Sequence, residues 1–158
     1  MVKSGQTKRV DSTHWYGRLR RAREFLEIAN IAIELAAPAA DGGPIMSNCI
    51  LSAVAYADTL TASVGGIISQ GDHAGITKVL RGVLGNDLPK AQETHLKQML
   101  ARKDDVQYGA SFDSLLSAQQ MAQRARSFAE WAENELARRF PKEMSGLSDR
   151  IPDDSNGA

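Results

Sequence analysis

The chain has 158 residues, a length that suits one domain, and 42% of them are hydrophobic, which is enough for one core. Its 19 basic and 19 acidic residues give a formal net charge of zero, which excludes nucleic-acid binding through overall charge but leaves a local basic patch open. Cys49, the single cysteine, has no partner for an intramolecular disulfide, and no window has the roughly 20 apolar residues of a membrane span, so we expect a cytoplasmic protein with no membrane partner.

The first predicted helix begins near Ser12, after a polar segment over residues 1–11 that we expect to be a disordered arm. Its apolar residues recur at alternating spacings of four and three: Trp15, Leu19, Ala22, Leu26, Ala29, Ile33 and Ala36. Four arginines surround the start of this stripe, where the helix dipole disfavours them: Arg18, Arg20, Arg21 and Arg23. They either bind an anionic partner or form a solvated face that pairs with Glu24 and Glu27.

The second helix is predicted over Asn48 to Val64, with Ser47 or Asn48 as its cap. This stretch is apolar or small on nearly every side, which is typical of a central, buried helix. One carboxylate, that of Asp58, interrupts it. Buried carboxylates are rare unless they are paired, so we expect Asp58 either at a groove or against a cation, for which Arg102 is the obvious candidate.

Three more helices follow in the prediction. Asp72 caps a short third helix that Gly85 ends, and Asp87 opens a fourth that ends near Ala101. Ser111 or Asp113 opens the last helix, and residues 141–158 have no period and are expected to be disordered. We therefore predict an all-α fold, an antiparallel up-and-down bundle of about five helices over residues 12–140, with no strand.

The last predicted helix carries a stripe made mostly of alanine, which predicts close packing against the small side of the second helix: Ser52, Ala55, Tyr56 and Thr59. Met121, Phe128 and Trp131 widen its apolar surface beyond the need of one small domain. This surface predicts a homodimer or a protein partner.

Metal and cofactor sites have no spacing signature in this sequence. His14, His73 and His95 are isolated from one another, and neither a cysteine pair nor a Glu-x-x-His motif occurs. Glycine-rich phosphate loops and nucleophile elbows are also missing. We therefore predict no metal and no cofactor.

A candidate ligand site remains in the segment RKDDVQYG, from Arg102 to Gly109, which is predicted to be a loop. Arg102, Lys103 and Tyr108 place a guanidinium, an ammonium and a phenol within seven residues. These groups could hold a phosphate and stack a base. In the alternative interpretation, Arg102 pairs with Asp58 to tie the loop to the bundle, and Tyr108 packs over the pair.

The order of these segments resembles that of the HEPN (higher eukaryotes and prokaryotes nucleotide-binding) domain superfamily. The likeness rests on the basic first helix, YAD in the second, a GDH turn, and RKDDVQYG before a long alanine-rich helix, and it covers roughly Arg18 to Arg139. It implies a helical homodimer. Many members are metal-independent ribonucleases of toxin-antitoxin or defence systems, with an Arg, four to six residues and a His at the dimer groove. Arg102 matches the motif arginine, and Asp58 matches the supporting polar position on the second helix.

The motif histidine has no counterpart. Gln107, Tyr108 and Gly109 stand at the permitted distances, and none exchanges a proton near neutral pH as imidazole does. The resemblance thus implies a member that binds a nucleotide or RNA without a known catalytic residue. Two other functions stay open: a structural or protein-interaction bundle, and an active metal-independent ribonuclease that uses Tyr108 or a histidine from elsewhere.

Overall fold

The computed structural model describes residues 6–148, and this part of the chain is mainly helical, which confirms the predicted all-α class. The helices are α1 (His14–Leu35), α2 (Gly43–Gly65), α3 (His73–Leu84), α4 (Lys90–Ala101), α5 (Lys103–Tyr108), α6 (Leu115–Arg139) and α7 (Pro141–Ser148). Two short strands, β1 (Thr7–Arg9) and β2 (Ile67–Ser69), pair antiparallel. No helix within residues 6–148 is both long and apolar enough to cross a bilayer.

Helix α2 lies at the centre of the core, as its apolar sequence predicts. Helix α1 runs antiparallel to it: the Val10 N–H donates to the Gly66 carbonyl next to the end of α2, and the Ser52 hydroxyl donates to the Ala22 carbonyl near the middle of both helices. Helices α3, α5 and α6 also pack on α2, and α4 packs on α3 and α6. The functional candidates on α2 and α5 therefore belong to elements that share one core.

The alanine stripe of α6 is buried against the bundle, and the predicted packing of this helix on α2 is confirmed. Met121 and Phe128 are buried in the same core, and the half-buried Trp131 packs its ring 5.5 Å from that of Phe128. These side chains already have partners within one chain. The prediction that Met121 and Phe128 form a surface for a second subunit is therefore wrong.

Several helices begin at other residues than the sequence predicts. Helix α2 starts at Gly43, before Ser47 and Asn48, because the Asp41 carboxylate accepts from the Gly43 N–H at 2.9 Å and a proline in the first turn has no N–H to satisfy. Helix α4 follows Pro89, whereas Asp87 lies in a 3-10 turn.

Helix α3 begins and ends at the predicted residues, and α6 begins close to them. Asp72 caps α3 as predicted and accepts from the Gly75 N–H at 3.1 Å, and Gly85 ends this helix with a φ of +56°. Such a φ favours glycine, which has no Cβ to clash with the backbone. Ser114, rather than Ser111 or Asp113, caps α6 and accepts from the Ser117 N–H at 3.1 Å.

Regular structure also extends into both predicted disordered ends. Strand β1 forms within residues 1–11 because its backbone pairs with the link after α2, although its side chains are exposed and show no alternation. Helix α7 forms after residue 140, where Phe140, Met144 and Leu147 pack on the core and the Phe140 ring lies 5.3 Å from that of Trp15. The parts of these predictions that concern residues 1–5 and 149–158 lie outside the described residues.

Candidate functional site

The candidate segment Arg102–Gly109 is a short helix, α5, and not the predicted loop. Asp104 and Asp105 lie in its first turn, where acidic side chains interact favourably with the positive end of the helix dipole. Lys103 begins the helix and is half-buried, whereas Tyr108 ends it with 81% of its surface exposed. Because Lys103 and Tyr108 are five residues apart, they point in directions that differ by about 140° around the helix.

Arg102 forms its ion pair with Asp113 and not with Asp58. Its Nη2 donates to Asp113 Oδ1 at 2.7 Å, and the Asp113 backbone bonds in turn to the turn before α2: its N–H donates to Asp41 Oδ1 and its carbonyl accepts from the Gly42 N–H. Arg102 thus ties the α4–α5 corner to the junction of α2 and α6. Its side chain remains 41% exposed and can still reach a ligand.

Asp58 lies near the other end of α2, and Arg18 of α1 supplies its cation. Arg18 Nη2 donates to Asp58 Oδ2 at 2.9 Å, and the carboxylate side chain is only 14% exposed. The predicted Asp58–Arg102 pair is wrong because Asp58 is fifteen residues from Gly43, near which Arg102 docks, so about 22 Å of helix separates the two groups. Asp58 and Arg102 therefore do not form one site.

Burial raises the pKa of Asp58 above its ordinary value, and the attraction of Arg18 only partly opposes this effect. The carboxylate is thus held by a cation at a position that disfavours its charge. This is the pattern of a structural pair between α1 and α2, and it explains one of the four arginines at the start of α1.

Arg23 belongs to a second network that the sequence analysis missed. Its guanidinium forms a two-point contact with the Glu133 carboxylate of α6, with Nη2 and Oε2 at 2.8 Å, and the Tyr56 hydroxyl of α2 donates to the same carboxylate at 3.2 Å. Burial raises the pKa of Tyr56 well above its usual range, so its hydroxyl stays protonated and can donate. Helical periodicity relates residues three or four positions apart, so it does not indicate an ion pair between residues that are 110 positions apart.

Arg20 and Arg21 are the exposed members of the arginine cluster. Because Arg18 and Arg23 bind carboxylates within the bundle, the cluster is partly structural. An anionic partner of α1 would meet Arg20 and Arg21 without a competing carboxylate from the described part of the chain, and Arg23, whose side chain is 40% exposed, in competition with Glu133.

Exposed aromatic side chains mark the end of α5 and the loop after it. Phe112 is 65% exposed and directly precedes Asp113, the partner of Arg102, in the link between α5 and α6. Tyr108 precedes Phe112 by four residues. We call Arg102, Lys103, Tyr108 and Phe112 the α5 patch; the sequence analysis named all of these residues except Phe112.

Cys49 is the only thiol in the sequence, and it is buried in α2. Burial raises the pKa of this thiol to about 11, so it is protonated near neutral pH and is not a nucleophile there. Within residues 6–148, no group of three or more His, Cys, Asp or Glu side chains is arranged to hold a metal ion. What the α5 patch offers a ligand is aromatic surface and two cationic groups, beside the carboxylates of Asp104, Asp105 and Asp113.

No protein-family model matches the chain, and no curated protein matches it. The likeness to the HEPN superfamily remains a hypothesis that rests on the order of segments in the sequence.

Proposed function

We propose that the chain binds a nucleotide or single-stranded RNA at the α5 patch and does not cleave it. The observation that carries this proposal is the pair of exposed aromatic rings, Tyr108 at 81% exposure at the end of α5 and Phe112 at 65% exposure in the link to α6 that Arg102 anchors through Asp113. Exposed rings in the same short segment as a half-exposed guanidinium suit a base that stacks and a phosphate that accepts hydrogen bonds.

The internal ion pair of Arg102 supports a binding role. Asp113 holds the guanidinium in one place at 2.7 Å, so little side-chain entropy is lost when its exposed N–H groups donate to a phosphate. Lys103 adds a second positive charge at the start of the same short helix. Asp58, which the resemblance offers as a supporting residue, is left out because it lies at the far end of α2 with Arg18.

Cleavage is not part of the proposal because the proton-transfer group is missing from the patch. None of the four residues of the patch is a histidine, and the described hydrogen bonds of Arg102 include no histidine. The protein should therefore leave single-stranded RNA intact in the presence of a chelator. RNA cleavage that Tyr108→Phe abolishes would revive the active-ribonuclease alternative.

The resemblance extends the proposal to a homodimer in a toxin-antitoxin or defence-type system of the cytoplasm. One surface supports self-association or a protein partner: Ile28, Ile31 and Leu35 are exposed and lie three and four residues apart, and so form one stripe on α1. This stripe replaces the α6 surface that the sequence predicts. It also favours the second candidate function, a protein-interaction bundle that has no nucleic-acid ligand.

Fluorescence anisotropy of a labelled single-stranded RNA tests the proposed function. Tyr108→Ala should weaken binding by about tenfold, because stacking of a base on an aromatic ring contributes about 1–3 kcal/mol. Leu116→Ala is the matched control, since Leu116 is also exposed but offers no ring. Absence of binding by the wild-type protein, or equal effects of the two substitutions, would contradict the proposal and favour the interaction bundle.

A further inference from the structure

A groove of about 780 Å³ opens between α3, α4 and the start of α5, and no function considered so far uses it. Ala74, Thr77, Leu100 and Ala101 line it with small or apolar side chains. Thr77 and Leu100 are buried, so this lining continues into the core. A groove of this volume with a mostly apolar lining suits a small molecule with an apolar body.

Charged side chains complete the lining and come from both walls. Lys78 and Arg81 extend from α3, Lys97 and Glu93 from α4, and Asp104 from α5. Arg81 already has partners within the chain, since it binds Glu93 at 2.7 Å and donates to the carbonyls of Gly85 and Leu88. Its role is to hold the corner between α3 and α4.

The two lysines have fewer hydrogen-bond and ion-pair partners than Arg81. Lys97 is mostly exposed and reaches Glu93 at 3.3 Å, and Lys78 forms no ion pair within the described part of the chain. One lysine stands on each wall of the groove. An anionic head group at the mouth can therefore be approached by an ammonium from either side.

The sign and size of the net charge narrow the ligand class. Lys78, Arg81 and Lys97 carry three positive charges and Glu93 and Asp104 carry two negative ones, so these five side chains have a net charge of +1. Hydrogen bonds from Arg81 lower the pKa of Glu93, which keeps this carboxylate charged at neutral pH. One excess positive charge balances a monoanion, whereas a polyphosphate would meet two carboxylates at close range.

His73 and Asp104 form the third side of the groove, with His73 Nε2 and Asp104 Oδ1 at 3.3 Å. This contact joins the first residue of α3 to α5 across one end of the groove. It limits the ligand at that end and leaves the side between the two lysines as the entrance for a charged head group.

From these contacts we propose that the α3–α4–α5 groove binds a monoanionic amphiphile, with its carboxylate or sulfonate head between Lys78 and Lys97 and its apolar body on Leu100 and Ala101. The proposal is independent of RNA binding at the α5 patch. It assigns the groove a small-molecule ligand, and it predicts that the charge and the apolar body both contribute to affinity.

Anilinonaphthalene sulfonate is a suitable probe because it combines one negative charge with an aromatic body, and N-phenylnaphthylamine is nearly the same body without the charge. Fluorescence titrations should show tighter binding of the sulfonate. A Lys78→Glu/Lys97→Glu double variant should weaken sulfonate binding by about tenfold or more, since it removes two attractive charges and adds two repulsive ones. It should leave binding of the uncharged probe unchanged.

Two further variants locate the probe. Ala101→Trp fills the groove from an exposed position and should reduce binding of both probes, whereas Lys90→Glu changes an exposed charge of α4 outside the lining and should change neither. Octanoate should displace the sulfonate at lower concentrations than octanol, and an RNA that binds the α5 patch should not displace it. Equal affinity for both probes, equal effects of Lys90→Glu and the double variant, or displacement by RNA would overturn the proposal.

Discussion

Asp58 shows how burial and ion pairing oppose each other at a single carboxylate. The sequence predicts that this residue lies either at a groove or against a cation, because it interrupts an apolar helix, and the structure shows the second alternative. The cation named from the sequence, Arg102, is wrong, since the direction of α1 along α2 is not known before the helices pack. The observed pair with Arg18 follows from the antiparallel packing of these two helices.

A pair of double-mutant cycles tests this assignment. Arg18→Ala combined with Asp58→Ala should show a coupling energy of about 1–2 kcal/mol, between the values for exposed and fully buried pairs. Arg102→Ala combined with Asp58→Ala is the matched control and should be additive within about 0.5 kcal/mol, because the two groups share no contact. Coupling in the control cycle and additivity in the first would restore the pair predicted from the sequence.

The raised pKa of Asp58 makes its contribution to stability depend on pH. Because the folded pKa lies above the ordinary value of 3.8, the folded state binds a proton more tightly than the unfolded state does. The stabilisation that comes from binding this proton is complete below a pH of 3.8 and is lost as the pH rises through the folded pKa. The free energy of unfolding of the wild type, relative to Asp58→Asn, should therefore fall as the pH rises from 3.8.

Urea unfolding at a series of pH values measures this difference. Asp105→Asn, which removes an exposed carboxylate without an ion pair in the described part of the chain and keeps Asp58, should follow the wild type. A difference between the wild type and Asp58→Asn that grows with pH would mean that Arg18 outweighs burial, and that the folded pKa is lowered.

At the scale of elements, the junction where α2 begins beside α6 depends on the absence of a side chain at Gly42. A Cβ there would stand 2.5 Å from the Ser114 carbonyl oxygen and 2.9 Å from Ala118 Cβ. Gly42→Ala should therefore lower the free energy of unfolding by about 1–3 kcal/mol, as overpacking does. Thermal or urea unfolding measures the effect.

Gly82, which lies within α3, provides the control for that substitution. A Cβ there meets no atom within 4 Å, so Gly82→Ala should stabilise the fold by about 0.5–1 kcal/mol through helix propensity. If both substitutions stabilised the protein, the close approach of α2 and α6 at Gly42 would be contradicted.

Elements with strong local signals could be predicted, and those that depend on distant contacts could not. The stripe of α1, the Asp72 cap and the Gly85 stop all depend on residues within a few positions of one another. Strand β1 forms only because β2 lies beside it, and α7 is held by Met144 and Leu147, which pack on the core. Helix α5 was missed because its six residues are too few to show a helical period.

The same distinction applies to the candidate site at the scale of the whole molecule. The sequence analysis located Arg102, Lys103 and Tyr108 because they are close neighbours in the chain. It missed the carboxylate that holds Arg102, the ring of Phe112 and the α3–α4–α5 groove, since these come together only after the helices pack. It also assigned the buried Met121 and Phe128 to an outer surface, because the periodicity of a helix does not show how many neighbours cover it.

The proposed homodimer can be tested through the exposed stripe of α1. Light scattering should give about twice the monomer mass of 17.1 kDa for the wild type, and Ile31→Glu should shift it toward the monomer by placing a charge in the stripe. Leu116→Glu changes an exposed apolar residue on α6 and should leave the mass unchanged. A wild type that is monomeric at every concentration would contradict the dimer.

The central claim is that a nucleotide or RNA binds at the α5 patch, and amide chemical-shift mapping by NMR tests it most directly. Isotopically labelled protein titrated with a short single-stranded RNA should show its largest shifts in residues 102–114, and Tyr108→Ala should reduce them. Shifts concentrated along the arginines of α1 or in the α3–α4–α5 groove, or no shifts at saturating RNA, would contradict the account.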